Sequence, residues 1–385
     1  MNASLPSKPH YPVLDGLRGV ASVIVIAFHI MEAHSNGSHI QQVINHGYLA
    51  VDFFFVLSGF VVGYAYDDRW NKMTISGFFK IRLVRLQPMV IVGSIIGAAC
   101  FYWQNYPAVF PNISPTPVWQ VVVTMLVGFT LIPVPVTFDI RGWQEMHPLN
   151  GPAWSLFFEY IANILYAAVV RRFSKLALAV LVFLSACFLF QLAITSPNGD
   201  IIGGWSVTGQ QLHIGFARLL YPFFAGLLLY RSGRLACIKN AFTWCSLLVV
   251  IALAMPRIGG AEHLWANGLY DALTVIIIFP LIIYLGASGQ IKSRRAARLC
   301  GFLGEISYPL YITHYPLIYI YTGWVATHNL GIMQAYPQAL LVFFGSILLA
   351  WACLKLYDEP VRKWLKKKVL AGNNIQKNTS SFSGT

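Results

Sequence analysis

Acidic side chains are scarce in this chain: 14 Asp and Glu occur in 385 residues, and charged residues of both signs make up only 11%. A soluble domain carries about 25% charged residues, so a water-facing globule is excluded. Cysteine is also sparse. Six are scattered through or beside apolar segments, at Cys100, Cys187, Cys237, Cys245, Cys300 and Cys353, without a Cys-x-x-Cys pair. They read as packing residues, which excludes a disulfide framework and a thiolate metal site. No repeat of fixed period is present, and the first apolar run lacks a small-residue cleavage site, so it is expected to stay as a first span.

What is abundant is apolar length. Hydrophobic residues make up 57%, and eleven long apolar runs appear: 20–31, 48–66, 89–103, 118–132, 154–170, 176–194, 215–230, 242–255, 264–285, 306–325 and 338–356. Several fall short of the ~20 residues that a comfortable helical span prefers. The partner this composition demands is a lipid bilayer.

Basic residues then set orientation, because Lys and Arg concentrate in short cytoplasmic loops. With Lys8 and Arg18, the clusters at Arg69–Arg85, Arg171–Lys175, Arg231–Lys239, Lys292–Arg298 and Lys355–Lys377 hold 24 of the 27 Lys and Arg residues. The exceptions are Arg141, Arg218 and Arg257. For every cluster to face the cytoplasm, one of the three runs between Arg85 and Arg171 must fail to cross. The run 118–132 is chosen: it is short, follows the Pro-rich stretch 107–117, ends at Pro133-Val134-Pro135 and leads into a polar stretch. It is read as a re-entrant or interfacial helix on the outer side.

The expected fold is therefore all-α: a polytopic membrane helix bundle of ten transmembrane helices plus that short helix. Residues 1–370 form one integral membrane domain, and 371–385, rich in Asn, Ser and Thr, form a disordered cytoplasmic tail. Both termini lie in the cytoplasm and the protein resides in the cytoplasmic membrane. The net charge of +13 is a topology signal spread over loops, not a nucleic-acid footprint.

Within the first run, Arg18 and His29 stand eleven positions apart. At about 100° per residue this places both on one helical stripe, roughly 16 Å apart along the axis. An ionisable group at membrane depth is a functional-site candidate by default.

Further motifs follow in order: Val51-Asp52-Phe53-Phe54-Phe55-Val56-Leu57-Ser58-Gly59-Phe60, the Arg82-x-x-Arg85 loop leading to Pro88, Asn150-Gly151-Pro152-Ala153-Trp154-Ser155-Leu156 with Glu159, and Ile306-Ser307-Tyr308-Pro309-Leu310-Tyr311-Ile312-Thr313-His314. Together with Arg18-x10-His29, their order and spacing resemble the acyltransferase family 3 membrane proteins, over residues 14 to about 362. The resemblance implies a ten-helix bundle that moves an acyl group, often acetyl, from cytoplasmic acyl-coenzyme A onto a hydroxyl of a sugar or glycan acceptor. Some members carry a fused extracytoplasmic hydrolase-like domain; only a basic helix and a short tail follow Leu356, so direct transfer is expected. A multi-span transporter of a glycan or small acid, using the same buried charges, is the alternative reading.

On that implication the residues take roles. O-acylation needs a general base for the hydroxyl proton, and His29 supplies it. Its second ring nitrogen needs an acceptor: Asp52 is favoured, with Glu32 as the alternative. Arg18 would hold a phosphate of coenzyme A and aim the pantetheine arm along the helix. Arg82 and Arg85, three apart, suit the nucleotide phosphates, although positive-inside charge alone would also place arginines there. Glu159, Arg218 and Asp271 are buried-looking charges assigned to the outer half. Glu159 and Arg218, with Trp154 or Tyr160 as a stacking face, are acceptor-binding candidates, and an Arg218 ion pair with Glu159 or Asp271 is the structural alternative. His314, in one span with Tyr308, Tyr311, Tyr315, Tyr319 and Tyr321, is a further substrate-site candidate, though a structural hydrogen bond is preferred for it. Ser58 with Gly59 permits close helix approach. His34, His39 and His46 have irregular spacing without carboxylates, so no metal is expected.

Overall fold

The computed structural model describes residues 11–35, 38–40, 42–233, 238–291 and 293–370. Lys8, Arg234, Cys237, Lys292, Lys377 and the tail 371–385 lie outside the described residues.

The chain is all-helical, with no β-strand among the described residues. In order the α-helices are α1 (Pro12–Glu32), α2 (Ala50–Tyr66), α3 (Ile75–Cys100), α4 (Val118–Gly128), α5 (Ala153–Ala168), α6 (Lys175–Thr195), α7 (Gly209–Ser232), α8 (Ala241–Ala254), α9 (Leu264–Leu273), α10 (Phe279–Ala287), α11 (Arg294–Thr313), α12 (Tyr315–His328), α13 (Tyr336–Cys353) and α14 (Glu359–Leu365). Their starts follow local chemistry. The side chains of Thr74, Ser174, Thr208 and Ser293 accept from the first-turn amides of α3, α6, α7 and α11, and prolines open α1, α12 and α13, where a missing N–H costs nothing.

Among the described residues, seven stretches are long and apolar enough to cross a membrane: Pro12–Glu32, Gly47–Tyr66, Ile75–Gln104, Lys175–Thr195, Gly209–Ser232, Leu264–Ala287 and Tyr336–Val369. The short helix expected at 118–132 is α4, with 11 residues. At 1.5 Å per residue it is about 16 Å long, half the ~30 Å of a hydrocarbon core.

Two expectations need correction. The arginines at 82 and 85 do not sit in a loop: α3 begins at Ile75 and carries both inside its first turns before continuing into the apolar run. The run 306–325 is not one helix, because it breaks at His314 between α11 and α12. Pro316 has no N–H to offer the carbonyl four residues back; that carbonyl, on Ile312, accepts instead from Asn150 Nδ2 at 2.7 Å. His314 keeps right-handed helical dihedrals (φ −74°, ψ −34°), so the axis kinks there.

Two helix pairs pack through glycine. In α2 and α7, a Cβ on Gly59 would meet the Phe223 carbonyl oxygen at 1.8 Å, and one on Gly226 would meet that of Val56 at 1.9 Å. In α1 and α11, Gly19 lies against the Leu303 carbonyl and Gly304 against Asp15. Only Gly permits backbones this close. By contrast α6 and α13 turn large apolar side chains outward, among them Phe183, Leu184, Leu341 and Leu348, which suits lipid. Two π-helical turns interrupt the long apolar elements, at Thr274–Ile278 between α9 and α10 and at Leu354–Asp358 after α13.

Candidate active site

One stripe of α1 serves two cavities. Asp15, Arg18 and Ser22 line the first, of 410 Å³, and Val25, His29 and Glu32 line the second, of 690 Å³. Both volumes fall in the range of small-molecule sites. The two meet at a wall: Val51 and Tyr311 line both, and the Tyr311 hydroxyl is hydrogen-bonded to Ser155 Oγ at 2.8 Å.

The first cavity is rich in arginine. Arg18 donates from Nε to Ser307 Oγ at 2.7 Å and from Nη2 to the Gly304 carbonyl at 2.8 Å, with Asp15 3.6 Å away. It is therefore oriented by α11 as it faces the cavity. Arg82 is buried and paired with Glu159, which also accepts from Ser58 Oγ at 2.8 Å; the Arg82 Nε has no partner. Past the π turn, Asp358 meets Arg362 at 2.7 Å. Arg85 lines the same cavity and has no ion pair among the described residues.

Glu159 is thus misplaced in the expectation that it contacts the acceptor in the outer half. It lies among the arginines because α5 brings it between Ser58 of α2 and Arg82 of α3, and a buried carboxylate is held where a guanidinium can neutralise it.

In the second cavity His29 Nδ1 lies 2.7 Å from Glu32 Oε2, one turn further along α1. The favoured partner, Asp52, is not the one found. Asp52 is fully buried and receives Arg218, Nη2 at 2.6 Å and Nε at 3.2 Å. The glycine-packed α2/α7 pair brings these two side chains together, and a fork of donors suits both carboxylate oxygens. Arg218 also donates to the carbonyls of Tyr48 and Gly203 and has its guanidinium carbon 5.2 Å from the centre of the Trp154 ring. The alternatives pairing Arg218 with Glu159 or Asp271 fall with this geometry; Asp271 accepts from the Tyr48 hydroxyl at 2.7 Å and from the Ile201 amide at 3.1 Å. Trp154 and Arg218 do line the cavity.

His314 stands behind His29, not in the cavity lining. The two rings stack with centroids 5.6 Å apart at 28°. Its Nδ1 donates to the Leu310 carbonyl at 2.9 Å, while its buried Nε2 has no partner. Tyr315 meets His29 edge-on at 4.8 Å.

A cluster that sequence reading did not assign closes the far wall. Tyr319 donates its hydroxyl to Glu145, 2.6 Å from Oε1, and Arg141 Nε lies 3.4 Å from the same carboxylate. The Arg141 guanidinium sits 3.5 Å from the centre of the Tyr319 ring. Burial pushes the Glu145 carboxyl up to about 7, against the lowering by Arg141. The available signal was the exception itself: Arg141 breaks the charge rule and has an acid four residues later. Among the described residues no group of three or more His, Cys, Asp or Glu is placed to hold a metal.

Residues 11–355 match the family model described as an acyltransferase domain. The chain belongs to acyltransferase family 3. It is 25% identical to the peptidoglycan O-acetyltransferase OatA of Listeria monocytogenes over 93% of this chain and 56% of that protein, and 23% identical to the O-acetyltransferase OatA of Staphylococcus aureus over 98% and 61%. The chain thus spans little more than half the length of these relatives. A shorter match, 33% identical over 43% of this chain and 85% of the relative, is to protein 2 in the picA locus of Rhizobium radiobacter. No solved structure matches the chain.

Proposed function

We propose that this protein is a membrane O-acyltransferase that moves an acyl group, acetyl in the first instance, from cytoplasmic acyl-coenzyme A to a hydroxyl of a sugar or glycan. The observation that carries the reading is the single α1 stripe that puts Arg18 in an arginine-lined cavity and His29 in a second one, with Val51 and Tyr311 common to both. Arg85, Arg82 Nε and Arg18 receive the donor's phosphates, and the pantetheine arm runs along α1 to the shared wall. The acceptor hydroxyl lies by His29. With Nδ1 held by Glu32, His29 Nε2 takes the hydroxyl proton as oxygen attacks the thioester carbonyl. The ester C–O bond forms, the C–S bond breaks, and the imidazolium returns the proton to the departing thiolate. Trp154 gives the sugar a stacking face beside Arg218.

The same reading sets ten crossings of the cytoplasmic membrane with both termini inside, α4 remaining outside as a short non-crossing helix and the kinked α11–α12 unit crossing once. A cysteine at Gln144 in a cysteine-free background reacts with an impermeant thiol reagent in intact cells, whereas one at Ser232 reacts only after the membrane is opened. Protection at Gln144 overturns the topology.

The function is tested with the full chain in lipid nanodiscs, acetyl-coenzyme A and sugar oligomers, following free thiol and the mass of the sugar together. One thiol released per acetyl gained supports the enzyme. Sugar movement across vesicles without thiol release supports a transporter instead.

A further inference from the structure

A third cavity, of 750 Å³, lies between the α6–α7 and α8–α9 connections, at the His29 end of the bundle. It is continuous with the histidine cavity, since His39, Ile202 and Trp205 line both. Its mouth is exposed, with Thr195, Asn198 and Gln210 at the rim.

The chemistry of its wall is that of a polyol site. Among the described residues that line it, Arg257 and Asp200 are the only Lys, Arg, Asp or Glu, and they neutralise each other at 3.4 Å. A phosphate or nucleotide finds no excess cation there, unlike in the cavity lined by Arg18, Arg82 and Arg85. Beside apolar Leu192, Ile202 and Ile214, the wall offers hydroxyl, amide and ring groups from Thr195, Asn198, Gln210, Gln211, His213 and Trp205. Gln211 accepts the Gly204 amide at 2.7 Å through Oε1, which leaves its NH₂ group to donate. Trp205 is fixed at its backbone, whose carbonyl accepts from Met146 at 2.7 Å. The Arg257 side chain is 4% exposed, and its buried Nε has no partner. A buried donor left unpaired is costly unless a ligand or water meets it.

We propose that the acceptor is an oligosaccharide, not a single sugar, with the acylated unit at His29 and the adjoining unit in this third cavity, across Trp205. The inference rests on the acyltransferase reading for the identity of the acylated unit. The cavity's neutrality, its amide and hydroxyl rim and its continuity with the histidine cavity supply the rest. A planar ring at the junction suits two successive pyranoses, and paired donor and acceptor groups suit their hydroxyls.

The test measures binding and transfer separately. The full chain in nanodiscs is titrated calorimetrically with monomers, dimers and tetramers of β-1,4-linked N-acetylglucosamine and of β-1,4-linked glucose. At least one series binds with affinity rising about tenfold or more from monomer to tetramer, a gain of one or two hydrogen bonds and a ring contact. Arg257→Gln lowers tetramer affinity about tenfold and monomer affinity far less. Should that variant not fold, Thr195→Trp at the exposed rim fills the cavity and produces the same selective loss. Equal affinity for monomer and tetramer in both series overturns the proposal, as does an equal loss for both lengths in the variants. Length-dependent binding without acetyl transfer keeps the subsite and removes the acyltransferase reading; acetyl transfer without length dependence does the reverse.

Discussion

The arginine cavity and the histidine cavity hang on the same stripe of α1, yet they use charge in opposite ways. In the first, Arg18, Arg82 and Arg362 are each engaged by Asp15, Glu159 and Asp358, and Arg85 is left over. In the second, the deeply buried pair Asp52–Arg218 is complete, and the working candidate is a half-covered His29–Glu32 pair, 17% and 32% exposed. The contrast teaches that burial alone does not mark function in a membrane bundle. Completed pairs such as Asp52–Arg218 hold helices in place even where one member borders a cavity; the working candidates are groups that keep a nitrogen for something else. A buried pair replaced on both sides is often tolerated, whereas removal of one partner leaves an uncompensated charge.

The largest effect expected from breaking this comparison is at His29. His29→Ala lowers transfer by about 10²–10⁴, with normal membrane insertion and helical content; wild-type rates in a well-inserted variant remove His29 as base. Glu32→Gln, which orients the ring without touching the hydroxyl, costs about tenfold or somewhat more, whereas Asp52→Asn reports on folding. Next comes Arg218→Leu, which strands the fully buried Asp52 and destabilises by about 3–5 kcal/mol, read as loss of detergent-resistant protein. If Arg218→Leu stays folded and loses only acceptor affinity, the division between completed pairs and working groups is wrong.

A smaller effect belongs to Arg85. Arg85→Gln raises the donor KM about tenfold and leaves kcat nearly unchanged, and added salt weakens donor binding in the wild type more than in the variant. An unchanged donor KM, or an unchanged salt dependence, returns Arg85 to a topology role. Smallest is the pH response of Glu145. Folded, its carboxyl keeps its proton up to about 7, while the unfolded chain releases it near 4.5. Between those values the folded state binds more protons, so stability falls as pH rises. Glu145→Gln flattens this slope in thermal unfolding followed between pH 5 and 8; an unaltered slope means that another group titrates.

Much of this is legible in the amino-acid sequence itself. The spacing of Arg18 and His29 needs only the helical repeat, and the weakness of 118–132 as a span needs only length and proline. Ser58-Gly59 announced a close helix contact, and Gly59 does lie against the Phe223 carbonyl of α7. Partnership was not legible. Asp52 and Glu32 were both within reach of His29 in sequence terms, and what decides between them is the position of Arg218, 166 residues from Asp52. Glu159 was assigned a depth from topology alone, but a single long α3 places Arg82 deeper than a loop would. The break at His314 required knowing that Asn150 would satisfy the carbonyl left by Pro316. Each of these depends on contacts between distant segments, which carry no local periodic signature.

The π turn at Leu354–Asp358 acts as a phase shifter. Widening one turn by a residue rotates everything beyond it by about 100° relative to an uninterrupted α-helix. That rotation carries the buried Asp358, and with it Arg362, onto the face that borders the arginine cavity, while Leu356 two residues earlier stays 81% exposed. The basic C-terminal segment is therefore keyed to the cavity by angle as well as by length. Deleting Leu356 alone removes the extra residue, so the turn should close to a regular α-helix and keep the Asp358–Arg362 pair at the cavity wall, whereas one residue inserted directly after Asp358 should swing Arg362 off it.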